Sequence, residues 1–301
     1  MSVVGIILTG SNLFLILIFW AMNIGVHKPK RGKIFGVNMP EPRMNDERVT
    51  DIVSWYLVRD KWWLRISLIT AFLPLYPTTY FSIVFSFFML WTIAVLGYKM
   101  WLFSKALKKL RDLKDTCGWF DPVRDADEKH WYGGIFYHNP DSKKMFTNQY
   151  MMGMGSTVNL ATKGGRVFMI ITGVILFISV LPPWALIIVD DFVPPSIKLT
   201  ESELVIKSAF SKAHANYDDI EMVLWTNDLK IGTKVSGSGT DRYTRGTFYV
   251  GEYGKSKVYR FKDFSQLIVV TVKDGQPIIF SSETLNETEA IYRELRSKVG
   301  R

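Results

Sequence analysis

Residues 167–189 read VFMIITGVILFISVLPPWALIIV, a stretch without a single charged side chain. A transmembrane helix needs about 20 consecutive apolar residues to cross a hydrocarbon core about 30 Å thick. We therefore predict a membrane-spanning helix at 167–189. The Pro182-Pro183 pair removes two backbone donors and predicts a kink near the outer end of this helix.

Three further apolar segments lie nearer the N-terminus. Residues 3–26 carry no charge, residues 62–76 form a short segment with Arg65 near its start, and residues 80–103 are rich in Phe and aliphatic side chains. The uncharged turn between the second and third segments predicts a helical hairpin. We therefore expect an α-helical membrane protein with four transmembrane helices. A secretory signal peptide is the alternative for the first segment, but a basic n-region and a small-x-small cleavage site are missing there.

The composition of the chain excludes two broad classes of protein. Its 301 residues are 48% hydrophobic and include 20 Phe, 13 Tyr and 10 Trp, which is too apolar for a mostly disordered chain. The single cysteine, Cys117, excludes a disulfide scaffold.

The basic residues are distributed unevenly, and their distribution predicts an orientation. Residues 27–65 carry nine Lys/Arg against five Asp/Glu, residues 99–166 carry twelve against seven, and residues 190–301 carry sixteen of each. Lys and Arg near the ends of spans favour the cytoplasmic side. This count predicts a multi-pass protein of the cell membrane with its N-terminus and its C-terminal domain outside the cytoplasm. Nucleic-acid binding is the other use of a basic surplus, but the cations flank spans and no nucleic-acid motif is present.

Two inner segments are predicted between the spans. Asn45 to Asp60 has apolar residues at helical spacing and predicts an amphipathic helix, and residues 103–115 predict a basic extension of the third helix, so that 1–115 form one helical region. Residues 116–166 predict a cytoplasmic interfacial hairpin domain. Its turn is Asn139-Pro140-Asp141, because Pro fixes φ and Asx side chains bond nearby amides.

The C-terminal region, 196–301, predicts a mainly β domain. Short β-favouring runs alternate with turn signals, and the runs are 197–199, 204–207, 220–225, 229–234, 247–250, 258–261, 267–272 and 277–280. The turn signals include Gly237-Ser238-Gly239. Thr284-Leu285-Asn286-Glu287 is a capping box that opens a final helix. This order predicts a pleckstrin-homology-like barrel whose helix caps one open end.

Three resemblances to known families accompany these patterns. Phe35-Gly36-Val37-x-Met39-Pro40 resembles the opening part of bacterial membrane proteins related to the toxin-immunity protein of sporulation-delaying systems. Residues 134–141, with Gly153, Gly155 and Asn159, resemble a short domain of unknown function, from which Lys143-Lys144 departs slightly. The C-terminal 110 or so residues resemble a bacterial pleckstrin-homology-like domain. The first resemblance implies a role in envelope stress or in immunity to a membrane-active peptide.

Two groups of residues are candidates for binding a ligand or partner. In the hairpin they are Tyr137, Asn139, Asp141 and Asn159, and in the outer domain they are Arg242, Arg245, Lys255 and Lys257. The outer group forms either a basic mouth for an anion or a set of solvated hairpin charges. The zero net charge of that domain favours the second interpretation.

The chemistry of the chain predicts binding rather than catalysis. His130 and His138 lie near acidic residues but fit no zinc spacing, and no nucleophile, base or metal set is recognisable, so we expect no metal and no cofactor. We expect a non-enzymatic bacterial membrane protein whose partners are the lipid bilayer and a protein or peptide at the outer domain, but no nucleic acid. The alternative is an accessory or regulatory subunit of a membrane transport system.

Overall fold

A computed structural model describes residues 3–30, 32–78, 80–121, 125–148, 156–227, 229–240, 242–263 and 265–300. The chain divides into two compact units. The first comprises Met1–Pro77 with Phe85–Leu181, and the second comprises Thr78–Val84 with Pro182–Arg301. The division falls immediately before the predicted kink at Pro182.

The described residues of the N-terminal two thirds of the chain include four long helices. They are α1 (Val3–Met22), α2 (Glu47–Thr70), α3 (Phe81–Thr116) and α4 (Lys163–Phe192). Among the described residues, three segments are long and apolar enough to cross a membrane: Val3–Ala21 in α1, and the helices α3 and α4. The predicted basic extension at 103–115 lies on α3.

The count of four spans is not confirmed, because no separate helix corresponds to 62–76. Helix α2 begins at Glu47, where Asp46 caps it by accepting a hydrogen bond of 3.1 Å from the Arg48 amide, and it ends at Thr70. One helix therefore joins the predicted amphipathic segment to the first part of the predicted span. The last 18 residues of α2 contain four charged side chains, so this helix is not among the three segments that are apolar enough by composition. These side chains are Arg59, Asp60, Lys61 and Arg65.

Three short antiparallel ribbons are found among the described residues of the first unit. They are β1 (Lys33–Ile34) with β2 (Val37–Asn38), β3 (Trp131–Tyr132) with β4 (Phe136–Tyr137), and β5 (Phe146–Asn148) with β6 (Ser156–Val158). The predicted turn at Asn139-Pro140-Asp141 is present, since the Asp141 amide donates a 2.9 Å hydrogen bond to the Asn139 side chain. It does not join the strands of a hairpin, because β3 and β4 pair across a turn that contains Gly133 and Gly134. Both glycines have positive φ, +60° and +74°, which a residue with a Cβ rarely adopts.

The core of the first unit forms where the β1–β2 ribbon packs against α2 and α3. Phe35, Val37 and Met39 are all buried, and the Phe35 ring lies 4.9 Å from the ring of Tyr56 on α2. Leu102 and Leu107 of α3 close the other side of this core. The residues that carry the first family resemblance are therefore core residues of a small hairpin.

Two sheets and a helix form the second unit. Strands β7 (Ser196–Leu199), β8 (Glu203–Lys207) and β9 (Lys212–Asn216) make a three-stranded antiparallel sheet. The remaining strands are β10 (Ile220–Thr226), β11 (Lys234–Gly239), β12 (Tyr243–Val250), β13 (Gly254–Phe261), β14 (Leu267–Val272) and β15 (Ile278–Phe280). They form a six-stranded sheet in the order β10-β14-β15-β13-β12-β11, which places β11 at an edge.

The main core of the second unit lies between the two sheets and the final helix, α5 (Leu285–Val299). Ile206 of β8, Ile268 of β14 and Leu295 of α5 are fully buried there. The predicted capping box is confirmed in its first part, because the Thr284 hydroxyl accepts a 3.2 Å hydrogen bond from the Glu287 amide. Side chains from opposite sheets and from α5 thus share one apolar interior.

Two local predictions for this unit are wrong. Residues 229–233 are not a strand; Leu229 and Ile231 instead pack on a second core cluster around Phe248. Gly237-Ser238-Gly239 is not a turn but the end of β11. Gly237 and Gly246 face each other across β11 and β12 with φ of +115° and +124°, and a Cβ on either residue would collide with the opposite backbone.

Candidate functional site

The last turn of α4 is fixed to the six-stranded sheet by a buried ion pair. A nitrogen of the Arg245 guanidinium, Nη2, lies 3.0 Å from Oδ1 of Asp190, and the two side chains are 3% and 10% exposed. The other terminal nitrogen, Nη1, donates a 2.6 Å hydrogen bond to the carbonyl of Val193. Arg245 on β12 therefore binds both the end of α4 and the chain that leaves it.

The next residue of α4 binds the beginning of α3. Oδ2 of Asp191, a fully buried side chain, accepts a 2.5 Å hydrogen bond from the backbone amide of Ser82. The first turn of a helix has amides without intrahelical partners and a positive dipole end, so a carboxylate is favoured there. We call Ser82, Asp190, Asp191 and Arg245 the helix-end clamp.

Aromatic contacts extend the helix-end clamp toward the surface. The rings of Tyr80 and Phe192 stack with their centroids 5.0 Å apart, and the guanidinium of Arg242 lies 4.7 Å from the Tyr80 centroid. A cation over a ring at this distance is attracted by the electrons of its face. Arg242 is thus held by the segment that begins α3.

The electrostatics of Arg245 follow from its burial. Burial lowers the pKa of the Arg245 guanidinium, and the Coulomb attraction of Asp190 opposes that shift. A buried guanidinium requires a paired carboxylate, because an unpaired charge inside a protein is costly. Asp190 and Arg245 therefore neutralise each other inside the second unit.

A cavity of about 480 Å³ lies beside the helix-end clamp within the second unit. Side chains from the ends of α3 and α4 and from the β8–β9 turn form its apolar part: Phe81, Leu186, Ile187 and Phe210. Its polar part comes from Ser208, Ser211, Lys234, Asp190, Arg245 and residues 237–240. This volume and this mixed lining are typical of a site that binds an organic ligand or a partner's side chain.

The structure brings three of the four predicted hairpin residues together. The Asn159 side chain is fully buried, and its Oδ1 accepts a 2.9 Å hydrogen bond from the amide of Asn139, while its Nδ2 donates to the Asn139 and Ser142 carbonyls. The Asn139 side chain donates to the hydroxyl of Tyr137. We call Tyr137, Asn139 and Asn159 the asparagine knot.

The polar groups of the asparagine knot have their partners inside the chain. The Tyr137 hydroxyl donates to Asp127 at 2.9 Å, and burial raises the pKa of this phenol. Asp141 takes part through its backbone amide, which donates to Asn139, whereas its side chain is exposed. The observed role of these residues is to shape the loop between β4 and β5.

The four predicted cations of the outer domain do not form one mouth. Arg245 is buried in the helix-end clamp, and Arg242 lies against Tyr80. Lys257 lies opposite Thr247 and Lys255 opposite Tyr249, so Lys255 is four residues along β13 from the position facing Arg245. At about 3.3 Å per residue, this separates them by about 13 Å. Arg245 is the one predicted residue that also lines the cavity.

Sequence reasoning missed the buried ion pairs. Besides the helix-end clamp, Lys99 of α3 is 2% exposed and pairs with Asp60 of α2, over the ring of Trp63. Lys114 lies 2.6 Å from Asp125. Nothing in a single sequence marks these pairs, because their partners are distant along the chain. The one available signal was the Asp190-Asp191 doublet at the end of a span.

Within the described ranges, no group of three or more His, Cys, Asp or Glu residues is placed to hold a metal ion. Gly153 and Gly155, which contribute to the second family resemblance, and Asp241, in the loop before Arg242, lie outside those ranges.

Comparison with known proteins identifies one part of the chain. The family model described as a bacterial PH domain matches residues 196–298, which extend from β7 to α5. Searches of curated proteins and of solved structures gave no match. The prediction of a pleckstrin-homology-like C-terminal domain is therefore confirmed, and the chain combines this domain with helices long and apolar enough for a membrane.

Proposed function

We propose that this chain is a non-enzymatic integral membrane protein of bacteria, whose apolar helices anchor a PH domain that binds a partner at the membrane. The observation that carries the proposal is the helix-end clamp. It ties the PH domain through Arg245 to the end of α4, and it ties that same end through Asp191 to the start of α3. If the domain were joined to the helices by a flexible linker alone, the two buried carboxylates, Asp190 and Asp191, would not be bound in this way.

Membrane anchorage is tested by fractionating cells that express the full chain. We expect the protein to stay in the membrane pellet after washing with alkaline carbonate, which releases peripheral proteins, and to be extracted by nonionic detergent. Release into the carbonate supernatant would contradict the proposal. The variant Arg293→Met alters only an exposed pair on α5 and serves as the matched control.

The binding role is tested by site-specific photocrosslinking in living cells. A photoreactive phenylalanine analogue at Phe210, which is 57% exposed beside the cavity, should give a crosslinked product of defined mass. The same analogue at Leu285, an exposed residue of α5 that does not line the cavity, should give none. Equal patterns at the two positions would argue against a binding site at the cavity.

The proposal includes an orientation with the N-terminus and the PH domain outside the cytoplasm. Two ends of a chain on one side of a membrane require an even number of crossings, so in this proposal the apolar segment 62–76 forms a fourth crossing besides the three apolar helices. The exposed Lys105, Lys108 and Lys109 of α3 support this orientation. Lys99, which was included in the Lys/Arg count for residues 99–166, is buried and paired with Asp60. Protease added to intact spheroplasts should cut the PH domain, whereas inverted vesicles should protect it. The reverse pattern would overturn the orientation and leave the anchorage intact.

The finer role that we propose is protection against envelope stress or a membrane-active peptide. Its support is the resemblance carried by residues 35–40. Cells lacking the protein should become more sensitive to peptides that permeabilise the membrane, and expression of the full chain should restore resistance. Unchanged sensitivity would remove this role without affecting the proposed anchorage.

A second candidate function, an accessory subunit of a transport system, is favoured by the surface of α4. The chain itself buries 0% of the most apolar window of this helix, which therefore faces lipid or another membrane protein. Copurification of a transporter after mild detergent extraction would support this role. Purification of the chain without a transporter would contradict this role.

A further inference from the structure

We propose that the cavity beside β11 receives an extended segment of a partner polypeptide, which adds as a strand to the β11 edge. The segment carries an acidic residue opposite Lys234 and an apolar side chain beside Phe210 and Leu186. This inference rests on the proposed binding function and names the class of partner.

The cavity is bordered by the backbone of β11. Residues 237–240 are consecutive, and all four line the cavity. Residues 237–239 belong to β11, and Gly237 and Gly239 have no side chain, so these two glycines border the cavity with their backbone atoms. A ligand in this cavity therefore meets the backbone of β11.

That backbone edge is available for pairing. In the part of the chain that the structure describes, β11 pairs with β12 alone and lies at the end of the six-stranded order. The free edge of a strand presents amide donors and carbonyl acceptors in alternation. An extended peptide matches both kinds of group along the strand, whereas a lipid phosphate accepts hydrogen bonds but offers the carbonyls no donors.

The side chains of β11 leave room for another strand. Natural edge strands are commonly protected by prolines, charged side chains or bulges. In β11 the charged residue, Lys234, is the first residue of the strand, and the bulge lies between Lys234 and Ser236. After Ser236 the strand continues as Gly-Ser-Gly. The last four residues are thus small, and their pairing with β12 is continuous.

Charge and apolarity specify the side chains of the partner. Asp190 and Arg245 cancel each other in the lining, and no ion pair joins Lys234 to any residue in the described ranges. Lys234 is therefore a cation of the lining without a paired carboxylate in those ranges, and its side chain is exposed. Phe210, Leu186 and Ile187 supply the apolar wall. A strand with one acidic and one apolar residue complements both features.

The test uses labelled octapeptides and the full chain in nonionic detergent micelles, with binding followed by fluorescence polarisation. The panel alternates Leu and Thr and places one Asp at each position in turn. A second panel carries Lys in place of Asp, and a third is N-methylated at alternate residues, which removes the amide donors of one edge. We expect at least one Asp peptide to bind and its Lys and N-methyl counterparts to bind at least tenfold more weakly.

Variants of the chain locate the binding. Gly239→Trp should abolish it, because a Cβ at Gly239 meets no atom within 4 Å and the bulky ring can occupy the cavity without disturbing β11. Lys255→Trp adds the same ring to an exposed position outside the cavity and should bind like the wild type. Lys234→Glu should reverse the preference from Asp to Lys peptides.

Three outcomes would overturn the proposal: no peptide of the panel binds, N-methylation has no effect, or Gly239→Trp binds normally. If anionic phosphatidylglycerol nanodiscs bind in a Lys234-dependent manner while no peptide does, the cavity is a lipid site instead. Carbonate-resistant membrane anchorage would persist in every case, so a failure here is distinguishable from a failure of the proposed function.

Discussion

Replacing Arg245 with methionine removes the cation of the helix-end clamp and leaves Asp190 as a carboxylate that is only 10% exposed. Removing one partner of a buried ion pair costs about 3–5 kcal/mol, because the remaining charge loses its partner without regaining water. The lost hydrogen bond to the Val193 carbonyl is part of the same cost. We therefore expect the free energy required to open the β12–β13 region to fall by about 3–5 kcal/mol.

Hydrogen exchange of the full chain in detergent micelles measures this opening locally. A loss of about 3–5 kcal/mol corresponds to exchange at least about 10²-fold faster for peptides covering residues 243–261. Arg293→Met is the control, since its pair with Glu289 is 75% and 48% exposed and contributes at most about 0.5 kcal/mol.

The double variant Arg245→Met with Asp190→Leu separates the ion pair from general disruption. An apolar pair of similar volume leaves no buried charge, so most of the protection should return. Exchange in Arg245→Met that equals the wild type, or a double variant as unstable as the single one, would refute the stabilising role of the helix-end clamp.

Three further predictions concern stability, and each has a matched control or a local readout. Asn159→Ala should lower the free energy of unfolding by about 2–3 kcal/mol, because it leaves buried backbone groups unpaired. Asp141→Ala, at an exposed side chain, should change it by less than about 0.5 kcal/mol, and thermal unfolding of the full chain compares the two variants. Gly246→Ala should cost about 2 kcal/mol or more and speed exchange in β11, whereas Gly239→Ala should be tolerated; equal effects would contradict the close approach of β11 and β12. Thr284→Ala should cost about 1 kcal/mol and speed exchange in the first turn of α5, and unchanged exchange there would exclude a capping role.

Elements whose signal is local were predictable from the sequence. Strand β14 has the predicted bounds, 267–272, because a short β-branched apolar run becomes a central strand that is buried on both faces. The capping residue of α5 was equally readable. The apolar segments of α1, α3 and α4 were predictable because a charge-free run long enough to cross a membrane is typical of a transmembrane helix.

Elements decided by distant contacts were not predictable. Gly237-Ser238-Gly239 has the composition of a turn, yet it forms a strand, since Gly237 and Gly246 allow two backbones to approach closely. Leu229 and Ile231 have the composition of a strand, yet they cover a core as irregular chain. In both places tertiary packing overrides the local preference of the residues.

The candidate site shows the same limit at the level of single side chains. Polar residues that cluster in a turn motif were chosen as binding residues, and Tyr137, Asn139 and Asn159 do converge. Their hydrogen bonds, however, are made to one another and to nearby backbone. A sequence shows which groups can donate or accept, but it does not show whether the partner is internal or a ligand. Arg245 illustrates the converse, because its partner is 55 residues away.

The acidic doublet at the end of α4 explains why this region forms as one piece. Carboxylates at a helix C-terminus face the negative end of the dipole and are unfavourable by about 0.3–1 kcal/mol each. Asp190 and Asp191 lie there, and their compensation comes from elsewhere: Arg245 on β12 for one, and the Ser82 amide at the start of α3 for the other. Until the PH domain folds and α3 begins beside it, the end of α4 carries two carboxylates that lack these partners. The doublet therefore makes the folding of the PH domain and the seating of both helix ends energetically interdependent.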